Sequence, residues 1–359
     1  MKTNPKPLHG IRVIELASVL AGPSVGFFLA ELGAEVLKIE SLKNGGDITR
    51  NWKTSKEDPN AEFSDYYWSV NRFKSHLKLN LKNAKDFSSL KTYIKSADIV
   101  LSNLSPKQEQ QLKLSYKHIK ALKPHCIFVS VRGFLNTPER PAFDALIQAE
   151  SGWMWLNRKS DKHPQKLPIA LIDIMCGHHL KQAVLLALLH RYKYKRGCEI
   201  RASLLDSAIS SLNHSAYSIL QHRGAEPINT NQHASIAPYG GCYLSKDLKW
   251  FIPAIGNDFQ FIHLCKLLKC VSLTKQARFK TNILRVKHRK SLDKIIKARF
   301  LKFKAPYITQ KALELYVPIG QVYTVQEALQ NHQPSLAIGY ESVNKISYIT
   351  SLPFSIRYE

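Results

Sequence analysis

Ile11-Arg-Val-Ile-Glu-Leu16, then Gly22-Pro23, then Glu35-Val-Leu-Lys-Ile-Glu40 is the stretch that decides the fold. The first segment is a short apolar strand. Gly22-Pro23 supplies a turn and a residue suited to the first positions of a helix. Val25, Phe28, Leu29 and Leu32 follow at helical spacing and make one apolar face. Gly33 fits a C-terminal helix cap, and a second apolar strand begins at Glu35. Strand, helix and strand in this order form a βαβ unit, expected to be right-handed with parallel strands.

The alternation continues outward. Leu77–Leu81 reads as a strand, Ala84–Lys95 as a helix, Asp98–Leu101 as a buried strand, Gln108–Leu122 as a polar helix and Cys126–Val131 as another strand. Helices of about Ile174–His190 and Leu205–His222 flank a strand at Cys198–Ala202. Such alternation predicts an α/β fold with a doubly wound, Rossmann-like sheet. Composition changes near Gly224, where Glu226-Pro-Ile-Asn-Thr-Asn-Gln232 is loop-like. Strand patterns near Trp250–Pro253 and Gln321–Tyr323 follow, with a basic helical stretch to about Lys304 between them. The expected organisation is a large α/β domain over residues 1–222, completed by 309–359, and a smaller α+β domain over 225–308.

The 359 residues carry a formal net charge of +25. Lys266–Lys304 is the densest stretch, with Asp293 as its only acid. This excess favours anionic partners such as nucleic acid, a membrane surface or a phosphorylated cofactor, and equally fits an ordinary solvated surface. The N-terminal residues are polar and no uncharged apolar run is long enough for a bilayer. Six cysteines lack any CxxC pair and read as reduced core thiols. The expectation is a soluble, cytoplasmic protein without a membrane partner.

Several chemistries are disfavoured. There is no P-loop, and the turn after the first strand reads Ala21-Gly22-Pro23-Ser24 instead of GxGxxG, against a nicotinamide dehydrogenase. No GxSxG elbow marks a serine hydrolase. His178 and His179 are adjacent and cannot both ligate one ion, so no metal is expected. Asp173 draws attention because it ends the apolar run Pro168-Ile-Ala-Leu-Ile-Asp173 just before a helix expected from Ile174. It fits an N-cap. It also fits a nucleophile, since an aspartate is ionised at neutral pH without a base and helix N–H groups could stabilise an oxyanion.

Longer blocks carry a resemblance. Leu8-His-Gly-Ile-Arg-Val-Ile-Glu-Leu16, Ala21-Gly-Pro23 and Leu29-Ala-Glu-Leu-Gly-Ala-Glu-Val-Leu-Lys-Ile-Glu40 closely resemble the opening of the family III CoA-transferases. Gly45-Gly-Asp-Ile-Thr-Arg50, Asn71-Arg-Phe-Lys-Ser75, Ala97-Asp-Ile-Val100 with Asn103, and Val131-Arg-Gly-Phe134 follow in family order. So do Phe143-Asp144, Asp173 with Gly177, Ile236-Ala-Pro-Tyr239 and Val317-Pro-Ile-Gly320, so the likeness spans nearly the whole chain.

The resemblance implies that Asp173 is a catalytic nucleophile carrying CoA between an acyl-CoA and a small carboxylic acid through a covalent aspartyl intermediate. It implies an interlocked homodimer. Asp144 falls on an acidic position beside that aspartate in some relatives; it would tune the nucleophile or cap a helix. Asn71, Arg72, Lys74 and Asn103 fall on positions that resemble CoA contacts; Arg72 and Lys74 otherwise suit a solvated basic loop. Leu20 stands where formyl-CoA transferase has a glutamine, Ser102 where an acid usually precedes the asparagine, and no tetraglycine loop follows Tyr239. An α-methylacyl-CoA racemase shares the fold, but its relatives place a histidine where this chain has Phe143, which cannot carry a proton. A reading from another class is an inactive relative that binds nucleic acid or other anions through its basic surface.

Overall fold

The structure is a computed structural model and describes residues 6–159, 163–221, 232–332, 335–341 and 346–356. These residues divide into two compact units. The larger gathers residues up to 155, 166–217 and the stretch from 335 onward, and the smaller gathers 156–165 and 218–332.

In the larger unit the elements run β1 (Arg12–Leu16), α1 (Ala21–Glu31), β2 (Glu35–Ser41), α2 (Asp65–Asn71), β3 (Ser75–Leu79), α3 (Ala84–Ser96), β4 (Ile99–Ser102), α4 (Pro106–Gln111), α5 (Tyr116–Leu122), β5 (Ile127–Arg132), α6 (Asp144–Glu150), α7 (Trp153–Leu156), α8 (Leu171–Tyr194) and β6 (Cys198–Ser203). The six strands form one sheet in the order β3-β2-β1-β4-β5-β6, with every neighbouring pair parallel. That is the doubly wound α/β sheet the alternation predicts. Alternate residues of the central strands feed two separate cores, as the two-residue period of a strand requires. Val13, Ile99, Leu101, Ile127 and Val129 pack with Val25, Phe28 and Leu29 of α1 and Cys176, Leu180 and Val184 of α8. Ile14, Val100 and Phe128 pack on the other side with Leu90 and Ile94 of α3 and Ile119 of α5.

The helices differ from expectation in several places. The polar helix expected over 108–122 is two helices, α4 and α5, separated near Lys113, whose φ is 51°. The helix expected over 205–222 is likewise two, α9 (Leu204–Ser210) and α10 (His214–Leu220), with Asn213 at φ 48° between them. A left-handed residue cannot continue a right-handed helix. The short helix α2 is unanticipated: three consecutive aromatic residues, Tyr66, Tyr67 and Trp68, hide its period, and the Ser64 hydroxyl caps it by accepting the Tyr67 N–H at 3.0 Å.

The smaller unit has an antiparallel three-stranded sheet of β7 (Tyr243–Leu244), β8 (Trp250–Pro253) and β9 (Ile319–Gln321), with α11 (Asp258–Leu267), α12 (Asn282–Lys287), α13 (Arg289–Phe300), α14 (Ala305–Glu314) and α15 (Val325–His332). The assignment of 309–332 to the large domain is therefore corrected. Ala305, Ile308 and Ala312 of α14 lie in the smaller core, and β9 completes its sheet beside β8. The loop-like stretch 226–231 and the expected boundary at 222–225 lie outside the described residues. From 335 onward the chain returns to the larger unit as an antiparallel hairpin, β10 (Ile338–Glu341) with β11 (Ile346–Ile349), and Ser351 donates its backbone N–H to Glu31 of α1 at 2.7 Å.

Two close approaches decide how α1 and α8 sit. A methyl group added at Gly177 of α8 would lie 2.3 Å from the Ser24 hydroxyl of α1. One added at Gly26 would lie 1.8 Å from the buried Glu15 carboxylate. Gly177→Ala should therefore push α8 away from α1 and cost about 1–3 kcal/mol by overpacking. The check is a urea or thermal melt: the midpoint should fall, and Ser24→Ala in the same chain should recover most of the loss.

Candidate active site

Strand order reverses between β1 and β4, because β1 continues into β2 on one side while β4 begins the other half of the sheet. In open α/β sheets ligands bind beyond the carboxyl ends of the strands at such a point. Ser18 and Asn103 lie there, just past β1 and β4, and Asn103 clips them together. Its amide N–H donates to the Ser18 carbonyl at 2.9 Å, and its oxygen accepts the Ser18 N–H at 3.2 Å.

Two cavities meet at this clip, with Ser18, Asn103 and Gln108 lining both. One, of about 270 Å³, also holds Val19, Leu20, Ala21, Arg132, Arg140 and Asp173 in its wall. The other, of about 630 Å³, is bordered by Lys43, Asn80 and Lys82.

Asp173 is not an N-cap. Helix α8 starts at Leu171, Ala170 occupies the cap position, and Asp173 is the third residue of the first turn. Its side chain therefore points out of that turn toward the smaller cavity wall. The residue is only 8% exposed, and no hydrogen bond from a described residue reaches its carboxylate. Burial, and then the charge of Asp144, push its pKa up to about 7. A buried carboxylate without a partner is costly, and such uncompensated groups cluster at functional sites.

Asp144 takes one of the two roles expected of it, that of a helix cap. It opens α6, yet its carboxylate caps a different helix by accepting the Ile172 N–H of α8 at 2.7 Å. Gln148, one turn along α6, donates to the other Asp144 oxygen at 2.5 Å and accepts the Leu167 N–H at 2.8 Å. The same pair thus fixes the approach to α8 and places a second negative charge beside Asp173. Tyr66 of α2 belongs to this electrostatic neighbourhood. Burial, and then Asp173, Asp144 and Asp47, hold its hydroxyl up at about 12, so it stays a proton donor. Nothing in the sequence singles it out, because its role depends on where α2 packs.

Helix α1 begins in the wall of the same cavity, with Leu20 and Ala21 among its lining residues. The backbone N–H groups of Ala21 and Gly22 lie in its first turn, where a helix provides no internal partner. Val19 precedes them at φ 72°, a left-handed conformation that costs a β-branched residue about 1–3 kcal/mol.

The other expected contacts are placed differently. Arg72 and Lys74 are buried, not part of a solvated loop. Arg72 pairs with Glu341 at 2.6 Å and lies over the ring of Trp68. The Lys74 ammonium bonds Glu15 at 2.8 and 3.0 Å, the Pro23 carbonyl at 2.8 Å and Asn71 at 3.0 Å. Asn71 completes the cage by donating to the Tyr67 carbonyl at 2.9 Å. None of these three lines either cavity, so of the four positions only Asn103 does. Burial lowers the Lys74 pKa to about 7 against the pull of Glu15.

The comparisons with known proteins agree with this geometry. A family model described as CoA-transferase family III matches residues 8–344. The chain belongs to CoA-transferase family III. A mouse succinyl-CoA:glutarate CoA-transferase is 32% identical over 95% of this chain and 79% of its own length. A succinate–glutarate CoA-transferase of Agrobacterium fabrum is 32% identical over 93% of this chain and 84% of its own. Among solved structures, a CAIB/BAIF family protein from Brucella suis superposes with a TM-score of 0.84 at 30% identity, covering 99% of this chain and 93% of that one. A Mycobacterium tuberculosis protein at 23% identity shares the fold, with a TM-score of 0.84 and coverage of 99% and 94%. For this member of the family, the racemase expectation meets a cavity without a histidine: among the residues lining the Asp173 cavity none is one, and Phe143, 57% exposed, lines it instead.

Ionisation of Asp173 should be visible in stability. Its pKa in the fold, about 7, exceeds its ordinary value of 3.8, so the native state keeps a proton that the unfolded chain has lost. Native stability should fall as pH rises from about 4 to 7, by roughly 4 kcal/mol at most. Asp173→Asn removes this dependence. Urea titrations should find the variant more stable than the parent at pH 8 and nearly equal to it at pH 4.

Proposed function

We propose that this CoA-transferase moves CoA from an acyl-CoA to a small carboxylic acid through covalent chemistry on Asp173. The observation that carries the proposal is a buried carboxylate with no partner among the described residues, in the wall of a cavity at the sheet's switch point. An Asp173 oxygen attacks the thioester carbonyl of the donor, forming a mixed anhydride and releasing CoA thiolate. The thiolate attacks the aspartyl carbonyl and displaces the donor carboxylate, leaving CoA on Asp173 as a thioester. The acceptor carboxylate attacks that thioester, giving a second anhydride and free thiolate. Thiolate attack on the acceptor's acyl carbonyl then regenerates the Asp173 carboxylate. Dividing the exchange into acyl transfers keeps each barrier modest. Each transfer passes an oxyanion, and the Ala21 N–H, at the start of α1 in the cavity wall, is a donor placed to meet it.

The larger cavity suits the nucleotide end of CoA, with Lys43 and Lys82 as charge-assisted donors to its phosphates. The matched relatives exchange succinyl-CoA with glutarate, which supports dicarboxylic acids as the substrate class. A homodimer is supported by α8. This helix of 24 residues is long and apolar enough to cross a membrane by composition. One face lies in the sheet core, while Leu185, Leu186, Leu189 and Tyr192 are exposed on another. A second copy covering that face removes the apolar surface from water. Free cysteines fit a reducing compartment, the cytoplasm, although Cys242 is exposed and not the core thiol expected.

The test is to incubate the protein with succinyl-CoA, with and without glutarate, and map the adduct after a rapid quench. A CoA-thioester mass confined to Asp173, trapped by hydroxylamine or borohydride, is expected. Asp173→Ala should lower turnover by roughly 10³-fold or more. Turnover undiminished in that variant, or deuterium wash-in at an α-carbon without adduct, overturns the mechanism. Adduct formation should quicken as pH rises through about 7, where Asp173 ionises. Asp144→Asn removes the neighbouring charge and should move that rise to lower pH, read as a shifted rate profile.

A further inference from the structure

The elbow between β1 and α1 is held from outside the cavity that contains Asp173. Val19 sits at φ 72°, and the Asp47 carboxylate accepts its N–H at 3.3 and 3.4 Å through both oxygens. Asp47 is itself fixed. It accepts the Thr49 N–H at 3.1 Å and the Thr49 hydroxyl at 2.8 Å, and pairs with the buried Lys38 ammonium at 3.0 Å. On the other side of the elbow the Asn103 amide holds both polar backbone atoms of Ser18. A valine released from these bonds returns to the right-handed or extended regions, since left-handed backbone disfavours a branched side chain. Such a return rotates the peptide planes leading into α1.

We propose that Asp47 is a positioning residue for the transfer: by holding Val19 left-handed, it aims the first N–H groups of α1 at the carbonyl that reacts on Asp173. Asp47 does not line the Asp173 cavity and touches no reacting atom; it acts through the Val19 backbone. The inference rests on the aspartyl mechanism above and adds to it the device that keeps the oxyanion donors in place. It also accounts for a buried carboxylate at the edge of a cavity suited to an anion. There, charge alone opposes CoA binding, so a purely electrostatic role predicts tighter CoA binding when Asp47 is removed and no loss of rate.

The experiment compares Asp47→Ala, Asp47→Asn, Val19→Gly and the double variant Val19→Gly/Asp47→Ala in the full-length protein. Three quantities are read: kcat, the Kd for free CoA, and the single-turnover rate of the Asp173 adduct. Asp47→Ala should lower kcat and the adduct rate by roughly 10²-fold, the size expected for misplacing an oxyanion donor, with the Kd for CoA not weakened. Asp47→Asn, which keeps an acceptor for the Val19 N–H, should lose less. Glycine adopts the left-handed region without strain, so Val19→Gly in the Asp47→Ala chain should recover at least about tenfold of the lost rate. A merely structural role lowers the melting midpoint without this recovery. The proposal is overturned if folded Asp47→Ala keeps the parent rate, if its Kd for CoA weakens in step with kcat, or if glycine at position 19 restores nothing. Should Asp47→Ala not fold, the Asp47→Asn pair with and without Val19→Gly decides by the same readouts. Absence of any Asp173 adduct in the parent protein instead sinks the aspartyl mechanism, so the two failures are distinct.

Discussion

A carboxylate buried inside the sheet, that of Glu15, is the constraint on which the larger unit depends. Glu15 of β1 lies in register with Lys38 of β2, and their side chains meet at 2.9 Å with no exposure to solvent. Lys74 joins from beyond α2 at 2.8 Å, and Lys38 also reaches Asp47 at 3.0 Å. Two acids and two bases therefore close a small network between the first two strands, the start of β3 and the loop after β2. Burying four charges is costly, and the network survives because each is paired and hydrogen-bonded. Gly26 is part of the same constraint, because any larger residue would enter the space of the Glu15 carboxylate.

This network ties down the chain between β1 and α1. Its members bond main-chain atoms of the chain that leaves β1: Lys38 donates to the Ala17 carbonyl at 2.6 Å, Lys74 to the Pro23 carbonyl at 2.8 Å, and Asp47 accepts the Val19 N–H. With Asn103 fixing Ser18, the path from strand to helix is held at four successive points. Lys74, at a position that resembles a CoA contact, thus places its charge in the network that bonds this backbone. The contrast with Asp173 is chemical. Every carboxylate in the network is satisfied, whereas Asp173 is buried without a partner among the described residues, and burial holds its proton to about neutral pH. Pre-organised donors beside an unsatisfied nucleophile are what acyl transfer requires.

A second pair of carboxylates divides labour in the same way. Asp144 is tied to the α8 amide and to Gln148, while Asp173 faces the cavity. Environment, not residue type, separates the helix cap from the proposed nucleophile. In the smaller unit several arginines serve structure: Arg285 is fully buried on Asp258, and Arg299 binds the Leu268 carbonyl.

The sequence by itself determined the sheet and pointed to Asp173. Apolar strands alternating with amphipathic helices have few solutions, because parallel strands must be covered on both faces and crossovers are right-handed. Asp173 was legible because ordered blocks on either side of it carry a family pattern. Its place in the helix was not, since a helix start is set by which amide finds an acceptor, and here that acceptor is Asp144, far away in sequence. Tertiary structure alone shows which protein groups Asn71, Arg72 and Lys74 meet, because a basic side chain reads the same in sequence whether it meets a phosphate or a buried carboxylate. It also decided that 309–332 belongs to the smaller unit, through a three-residue strand too short to declare its partner. Local pattern fixes periodicity and propensity; partners of buried charges and edges of sheets are settled by contacts between residues distant along the chain.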